Sequence, residues 1–531
     1  MSRTPDGHTW YRFAKPRVFR VLVVVACTGA ALATVEAATR FIDGYRLVPL
    51  RLEPSLSRLR AAESRHRSES QKWRGDTDAW PYVRQLPVAA GVDRDWFTAQ
   101  VPDRPVPRPD ADLDARAKRY PGGELPANYE WNWNAVVNGV CRGEYRNLVA
   151  FDRFEDLYVF NAIDGSDWPT FRFLQHATYP SGLVTNGFGW RGPDIAVNKP
   201  PHTIRLAFVG ASTTVSPHAE PYSYPELAGF WLNKWAASRG LEVSIEVINA
   251  GREALTSRSF QAIVRQELVP VEPDLVVYYE GSNQFWPNDF LSTPVPRLSR
   301  TLGMIRGMVS YSALANRIIY VVRKSTESGS EPAKPRLTVN WPRDLDELDP
   351  NLHDPRLPIA LPTILNDLEI IKRTLEENGG ELVMTSFAWL VYPGMALDPA
   401  RDADLFAYLN TTFWPFTYAH MRRFLDFQTR VFRKYASVNH LDFIDVASAY
   451  PRDPRLFDDA IHMTHAGIRL QAWITFNGLV PTIERQLASR QLPRPATHRL
   501  VTHPAFAGRR LVSKSDVRGT CTAASAQSPH K

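Results

Sequence analysis

Cysteine is scarce in this 531-residue chain, which has three, at Cys27, Cys141 and Cys521. None has the paired spacing of a zinc site or a dithiol redox motif. Cys141 and Cys521 would pair in an oxidising compartment or remain free thiols, and the sequence does not choose between these. Long apolar runs are as rare, with one near the N-terminus and no second. Internal repeats are missing. So is a basic face interleaved with aromatics, of the kind that tracks a nucleic-acid backbone. The formal net charge is a modest +7, part of it at the two ends, so nucleic acid is not an expected partner. The 42 prolines and 15 tryptophans argue for irregular connections and against a helical bundle.

The one apolar run reads as a targeting element. Arg12, Lys15, Arg17 and Arg20 precede "VLVVVACTGAALATV", and Glu36 and Arg40 follow. A membrane span usually needs about 20 apolar residues, so residues 21–41 are expected to form a single-pass anchor with help from snorkelling arginines. A signal peptide cleaved near Ala37 and Ala38, a lipoprotein acylated at Cys27, and a plain core helix are the other readings. The positive cluster keeps residues 1–20 in the cytoplasm and sends the body of the chain to the periplasm or exterior.

Beyond the anchor, residues 42–125 read as a tether, with a proline-rich spacer "VPDRPVPRPDADLD". Residues 126–202 are aromatic, with alternating runs such as "DLYVF", and predict a β-rich lead-in packed against the main domain. From 203 to 485 strands alternate with helices. The strands are "TIRLAFV", "SIEVINA", "DLVVYYE", "ELVMTSF" and "LDFIDV". Ile364, Leu368, Ile371 and Leu375 recur at helical spacing before Gly379-Gly380. This order predicts a five-stranded parallel sheet covered by helices on both faces. Within it, residues 287–355 form an insertion. Its stripe of Met304, Met308, Tyr311, Ala315, Ile318 and Val322 predicts a helix packed on the domain, with a lid or membrane-contacting helix as the sharper alternative. The polar residues 486–531 are expected to be a disordered tail.

Ligands of an open parallel sheet bind beyond the carboxyl ends of the strands. There the sequence places Ser212 after the first strand, Gly251 after the second and Asn283 after the third. Asp459 and His462 follow the fifth. Taken singly, each has an ordinary explanation. Ser212 is a helix N-cap, Gly251 a strand-end glycine, Asn283 a turn residue, and His462 and His465 solvated side chains at a helix start. Taken together they suit hydrolysis. A serine hydroxyl needs a base, His462, which needs an orienting carboxylate, Asp459. The backbone N–H groups of Ser212 and Gly251, with the Asn283 side-chain amide, would receive an oxyanion. This chemistry calls for no metal and no organic cofactor.

The set resembles the SGNH hydrolases, or GDSL-type esterases and lipases, whose blocks supply Ser, Gly, Asn and His in this order. "FVGASTT" aligns Ser212 with the nucleophile, "NAGREA" aligns Gly251, "EGSNQ" aligns Asn283, and "DAIH" aligns Asp459 and His462. Thr464 and Gly467 also look like the family, and "TNGFGWRGPD" looks like the lead-in of membrane-anchored bacterial members. Two positions depart from the pattern: Ala211 stands where Asp usually precedes the serine, and Gln284 where Asp often follows the asparagine. The resemblance covers roughly residues 185–485. It implies a flavodoxin-like α/β/α fold and ester hydrolysis or acyl transfer. With the expected anchor, the leading reading is a membrane-tethered serine esterase acting on an O-acyl group of an envelope glycan or lipid. An acyltransferase, or a catalytically silent binding protein of polysaccharide assembly, are the alternatives.

Overall fold

The computed structural model describes residues 11–43, 77–102, 158–160, 171–173, 183–216, 222–284, 311–318, 341–391 and 418–496, apart from 254 and 316, with a few isolated neighbours. The chain divides into two compact units, one of residues 1–67 and 295–336, the other of residues 68–294 and 337–531. Cys141 and Cys521 lie outside the described residues, as do Met304, Met308 and Val322 of the insertion stripe. Cys27 is an exposed free thiol.

In the first unit, helix α1 spans Tyr11–Ile42. Its apolar part, Phe19–Ile42, has 24 residues and a mean hydropathy of 2.0. That exceeds the ~20 residues needed to cross a bilayer, and is longer at both ends than the expected 21–41. A signal sequence near the N-terminus also meets these criteria of length and apolarity.

The second unit contains the sheet. Strands β3 (Thr203–Gly210), β4 (Ser244–Asn249), β5 (Leu275–Tyr279), β6 (Glu381–Thr385) and β7 (Phe443–Ile444) are all parallel, in the order β4-β3-β5-β6-β7. All eight residues of β3 are buried, as a central strand covered on both faces requires. Adjacent residues of a strand point to opposite faces, so Tyr278 and Tyr279 separate the two helical layers. Tyr279 meets Tyr224 at the start of α3 (Tyr224–Ser238), which packs on α7 (His465–Ala488). Tyr278 meets Phe260 of α4 (Ser257–Ile263) and Phe432 of α6 (Tyr418–Val438), and α5 (Leu361–Glu377) lies against α4. The result is a three-layer α/β/α sandwich with flavodoxin-like strand order. Helix α5 buries Ile364, Leu368, Ile371 and Leu375, the expected stripe. Gly379 follows at φ +77°, a left-handed conformation that favours glycine after a helix.

The described parts of both flanks are packed. Part of the expected 42–125 tether is packed: Phe97 is fully buried, stacked on Trp80 and Trp231 and edge-on to Trp473. Arg469 of α7 fixes this strap by donating to the carbonyls of Phe97 and Ala99. The proline-rich residues 103–114 lie outside the described residues. Of the lead-in, a short antiparallel pair, β1 (Tyr158–Phe160) with β2 (Phe171–Phe173), and residues 183–202 are described. At the other end α7 runs to Ala488, past the expected start of the tail. Leu492 beyond it is buried, and the Arg494 N–H donates to Asp274. Residues 497–531 lie outside the described residues.

Candidate active site

The chain leaves β3, pairs β4 on one side, then crosses to β5 on the other, so the carboxyl end of β3 is the switch point of the sheet. Ser212 sits there, 5% exposed, as the first residue of a four-residue helical turn, α2 (Ser212–Val215). Ala211, not Ser212, occupies the N-cap position, and no side chain caps this turn. The Ser212 hydroxyl meets His462 instead, with Oγ 2.8 Å from Nε2. Imidazole Nδ1 lies 2.6 Å from Asp459 Oδ2. The other carboxylate oxygen of Asp459 accepts the backbone N–H of Ile461 at 2.8 Å and of His462 at 2.7 Å. This local turn explains the spacing of two residues between them. One oxygen shapes the loop while the second aims the ring.

Burial pushes the Asp459 carboxyl up, but the adjacent His462 charge, its side-chain hydrogen bond and the two backbone N–H donors outweigh that. Together they hold the carboxyl below its ordinary value. An ionised Asp459 makes Nδ1 the donor of its pair and leaves Nε2 to accept the serine proton.

Gly251 and Asn283 are placed at neighbouring strand ends, as expected, but each already has a partner. The Gly251 N–H donates to Asn249 Oδ1 at 3.0 Å. A Cβ at position 251 would lie 2.7 Å from the Val215 nitrogen, so glycine is needed for close approach to the serine turn. Asn283 Nδ2 donates one hydrogen to the Leu255 carbonyl at 2.9 Å. The N–H of Ser212, first in its helical turn, has no intrahelical acceptor. His465 opens helix α7 behind Thr464, whose hydroxyl caps the Gly467 N–H. Among the described residues, no group of three His, Cys, Asp or Glu side chains gathers as a metal site.

Three positioning residues escaped the sequence reading. Arg191, from "TNGFGWRGPD", donates to the Val215 carbonyl at 2.9 Å and to the Ser216 carbonyl, closing the serine turn from behind. It also pairs with Glu226, which caps α3 through Ser223. Asn249 links three elements, bonding Gly251, the Thr214 carbonyl and the Ser223 hydroxyl. Glu280, buried at the end of β5, accepts the N–H groups of Ser282 and Asn283 with one oxygen. Burial raises its carboxyl above the ordinary value, and those backbone donors only partly offset this. The departing residue Gln284 has a structural task, accepting the Ser257 N–H at the start of α4.

No family model matches the chain, and no curated protein matches it. Solved structures do match about half of the chain. An acetyl xylan esterase matches with 14% identity over 52% of this chain and 100% of its own, at a TM-score of 0.29. An acetyl-xylooligosaccharide esterase from Geobacillus matches with 15% identity over 52% and 93%, at 0.30. A lipase/acylhydrolase from Enterococcus faecalis matches with 13% identity over 52% and 96%, at 0.27. Likeness this distant leaves activity to be argued from the side chains.

Proposed function

We propose that this protein is a membrane-tethered serine ester hydrolase of the SGNH type, acting on an O-acyl group of an envelope glycan or lipid. The observation that carries the reading is the unbroken chain Ser212 Oγ, His462 Nε2 and Nδ1, Asp459 Oδ2, with links of 2.8 and 2.6 Å at the switch point of the sheet. In the proposed reaction Ser212 Oγ attacks the ester carbonyl carbon as its proton passes to His462 Nε2. Asp459 stabilises the imidazolium without taking the proton. The Ser212 N–H, the second hydrogen of Asn283 Nδ2 and the Gly251 N–H would receive the oxyanion, the last shared with Asn249. Collapse of the tetrahedral species breaks the bond to the alcohol, which leaves with the proton from His462. Water then attacks the acyl-serine through the same base, releasing the acid and restoring the hydroxyl.

The tether part of the reading rests on the Arg/Lys cluster before the apolar helix, which would place the catalytic unit in the periplasm or exterior. The test is the full chain in detergent with a short-chain chromogenic ester and a fluorophosphonate probe. Hydrolysis with labelling at Ser212 is expected. A folded chain that does neither refutes the assignment.

A further inference from the structure

The C-terminal end of α1 has tertiary partners that a disposable leader would not need. Glu36 accepts the Ser312 hydroxyl at 2.8 Å, the Ala313 N–H at 2.8 Å and the Leu314 N–H at 3.1 Å. Arg40, buried at 4% exposure, pairs with Glu36 at 2.8 Å and donates to the Tyr311 carbonyl at 2.7 Å. One turn further on, Asp43 pairs with Arg317 at 2.6 Å. The bonds between α1 and the 311–317 stretch join residues more than 270 positions apart in sequence. They satisfy the opening N–H groups of the 312–315 turn with a carboxylate fixed on the helix. A cut near Ala37 and Ala38 would remove that carboxylate and break the Glu36–Arg40 ion pair.

A second observation lies on the outside of the same unit. Phe41 is 80% exposed and Val48 78%, and Ile42, Leu47, Tyr311 and Ile318 are more than half exposed. They continue the wholly exposed apolar surface of Phe19–Ile42 past its outer end, beside Arg and Asp side chains. Apolar and aromatic groups mixed with charge are what the headgroup level of a bilayer accommodates.

We infer that α1 is retained in the mature protein as the docking post for residues 311–315 and Arg317, and that the collar of Phe41, Ile42, Leu47, Val48, Tyr311 and Ile318 sits in the lipid interface. This rests on the membrane-tether reading of α1, but its test needs no ester turnover. The full chain, isolated from membranes, is weighed intact. It is then reconstituted in phosphatidylethanolamine–phosphatidylglycerol nanodiscs with Ile318→benzoylphenylalanine as a photo-crosslinker. The expected results are an intact mass that includes Phe19–Ile42, and a photoproduct at position 318 heavier by one lipid. Glu36→Ala, still recovered from membranes, should lower that photoproduct at least fivefold by releasing the 311–317 segment. Ser312→Ala removes one of the three bonds and should lower it less. A mature chain beginning beyond Glu36 overturns the proposal. So does a membrane-held chain with no lipid adduct at 318, which leaves the tether standing, and so does an adduct indifferent to Glu36→Ala.

Discussion

Changing Ser212 to alanine separates a nucleophile from a capping residue by the size of two effects. The serine makes one side-chain hydrogen bond, to His462 Nε2, and the N-cap position belongs to Ala211. Its loss should therefore cost stability no more than one neutral hydrogen bond, about 0.5–1.5 kcal/mol. In a domain of this size that shifts Tm by roughly 2–4 °C per kcal/mol. Turnover responds on another scale. Removing the nucleophile of a Ser–His–Asp set costs on the order of 10⁶ in kcat, or about 8 kcal/mol of barrier. His462→Ala should be about as severe alone. The double variant should sit near the same floor, because the pair acts as a unit. The assay is hydrolysis of a chromogenic short-chain ester by the full chain in detergent, with Tm on the same samples. A folded Ser212→Ala protein retaining turnover within tenfold of wild type would refute the nucleophile. Losses that multiply in the double variant would refute the coupling to His462.

Three further outcomes follow from the same geometry. Asp459→Asn keeps an oxygen for the Ile461 and His462 N–H groups but turns an amide toward Nδ1, so kcat should fall about 10⁴-fold with Tm little changed; retained activity would show that the carboxylate does not set the tautomer. Gly251→Ala puts a Cβ 2.7 Å from the Val215 nitrogen and displaces the serine turn, so kcat and fluorophosphonate labelling should drop on the order of 100-fold; normal labelling would contradict the close approach. Glu280 has a folded-state pKa raised above its ordinary 4.5, so the unfolded chain releases this proton first as pH rises. Wild type should then lose stability relative to Glu280→Gln as pH climbs above 4.5, by at most about 1.4 kcal/mol per pH unit, with no change in the difference below it. Melting curves from pH 4 to 8 check this, and a difference flat across that range would refute it.

The sheet was legible because its strands are unbroken apolar runs and its helices carry regular stripes, as Ile364 to Leu375 in α5 illustrate. The grouping of the candidate residues was legible for a related reason: in a parallel sheet, residues just after each strand must meet at one edge, so position in the chain stands in for position in space. The flanks obeyed no such rule. Phe97 lies among proline and charge, and only its stacking on Trp80 and Trp231 reveals a packed strap. Arg191 was hidden differently. Nothing in "GWRGP" marks a guanidinium that reaches two carbonyls more than twenty residues away. Such reach depends on side-chain direction, which composition and spacing do not encode.

The positioning residues also rank the donors of the proposed oxyanion hole. Asn249 Oδ1 already accepts the Gly251 N–H at 3.0 Å while its Nδ2 holds the Thr214 carbonyl, so Gly251 is tied to the serine turn through Asn249. A donor shared between two acceptors gives each a weaker bond than an undivided one. On this reading the Ser212 N–H and the second hydrogen of Asn283 Nδ2 supply most of the stabilisation, and Gly251 contributes chiefly closeness. Asn283 is in turn held by two contacts that leave that hydrogen available: its backbone N–H on Glu280 and its first amide hydrogen on the Leu255 carbonyl. Preorganised donors cost no rearrangement when charge develops on the oxygen. On the same reading, the buried Glu280 carboxyl, which accepts the Asn283 N–H at 2.9 Å, would fix the asparagine before substrate arrives.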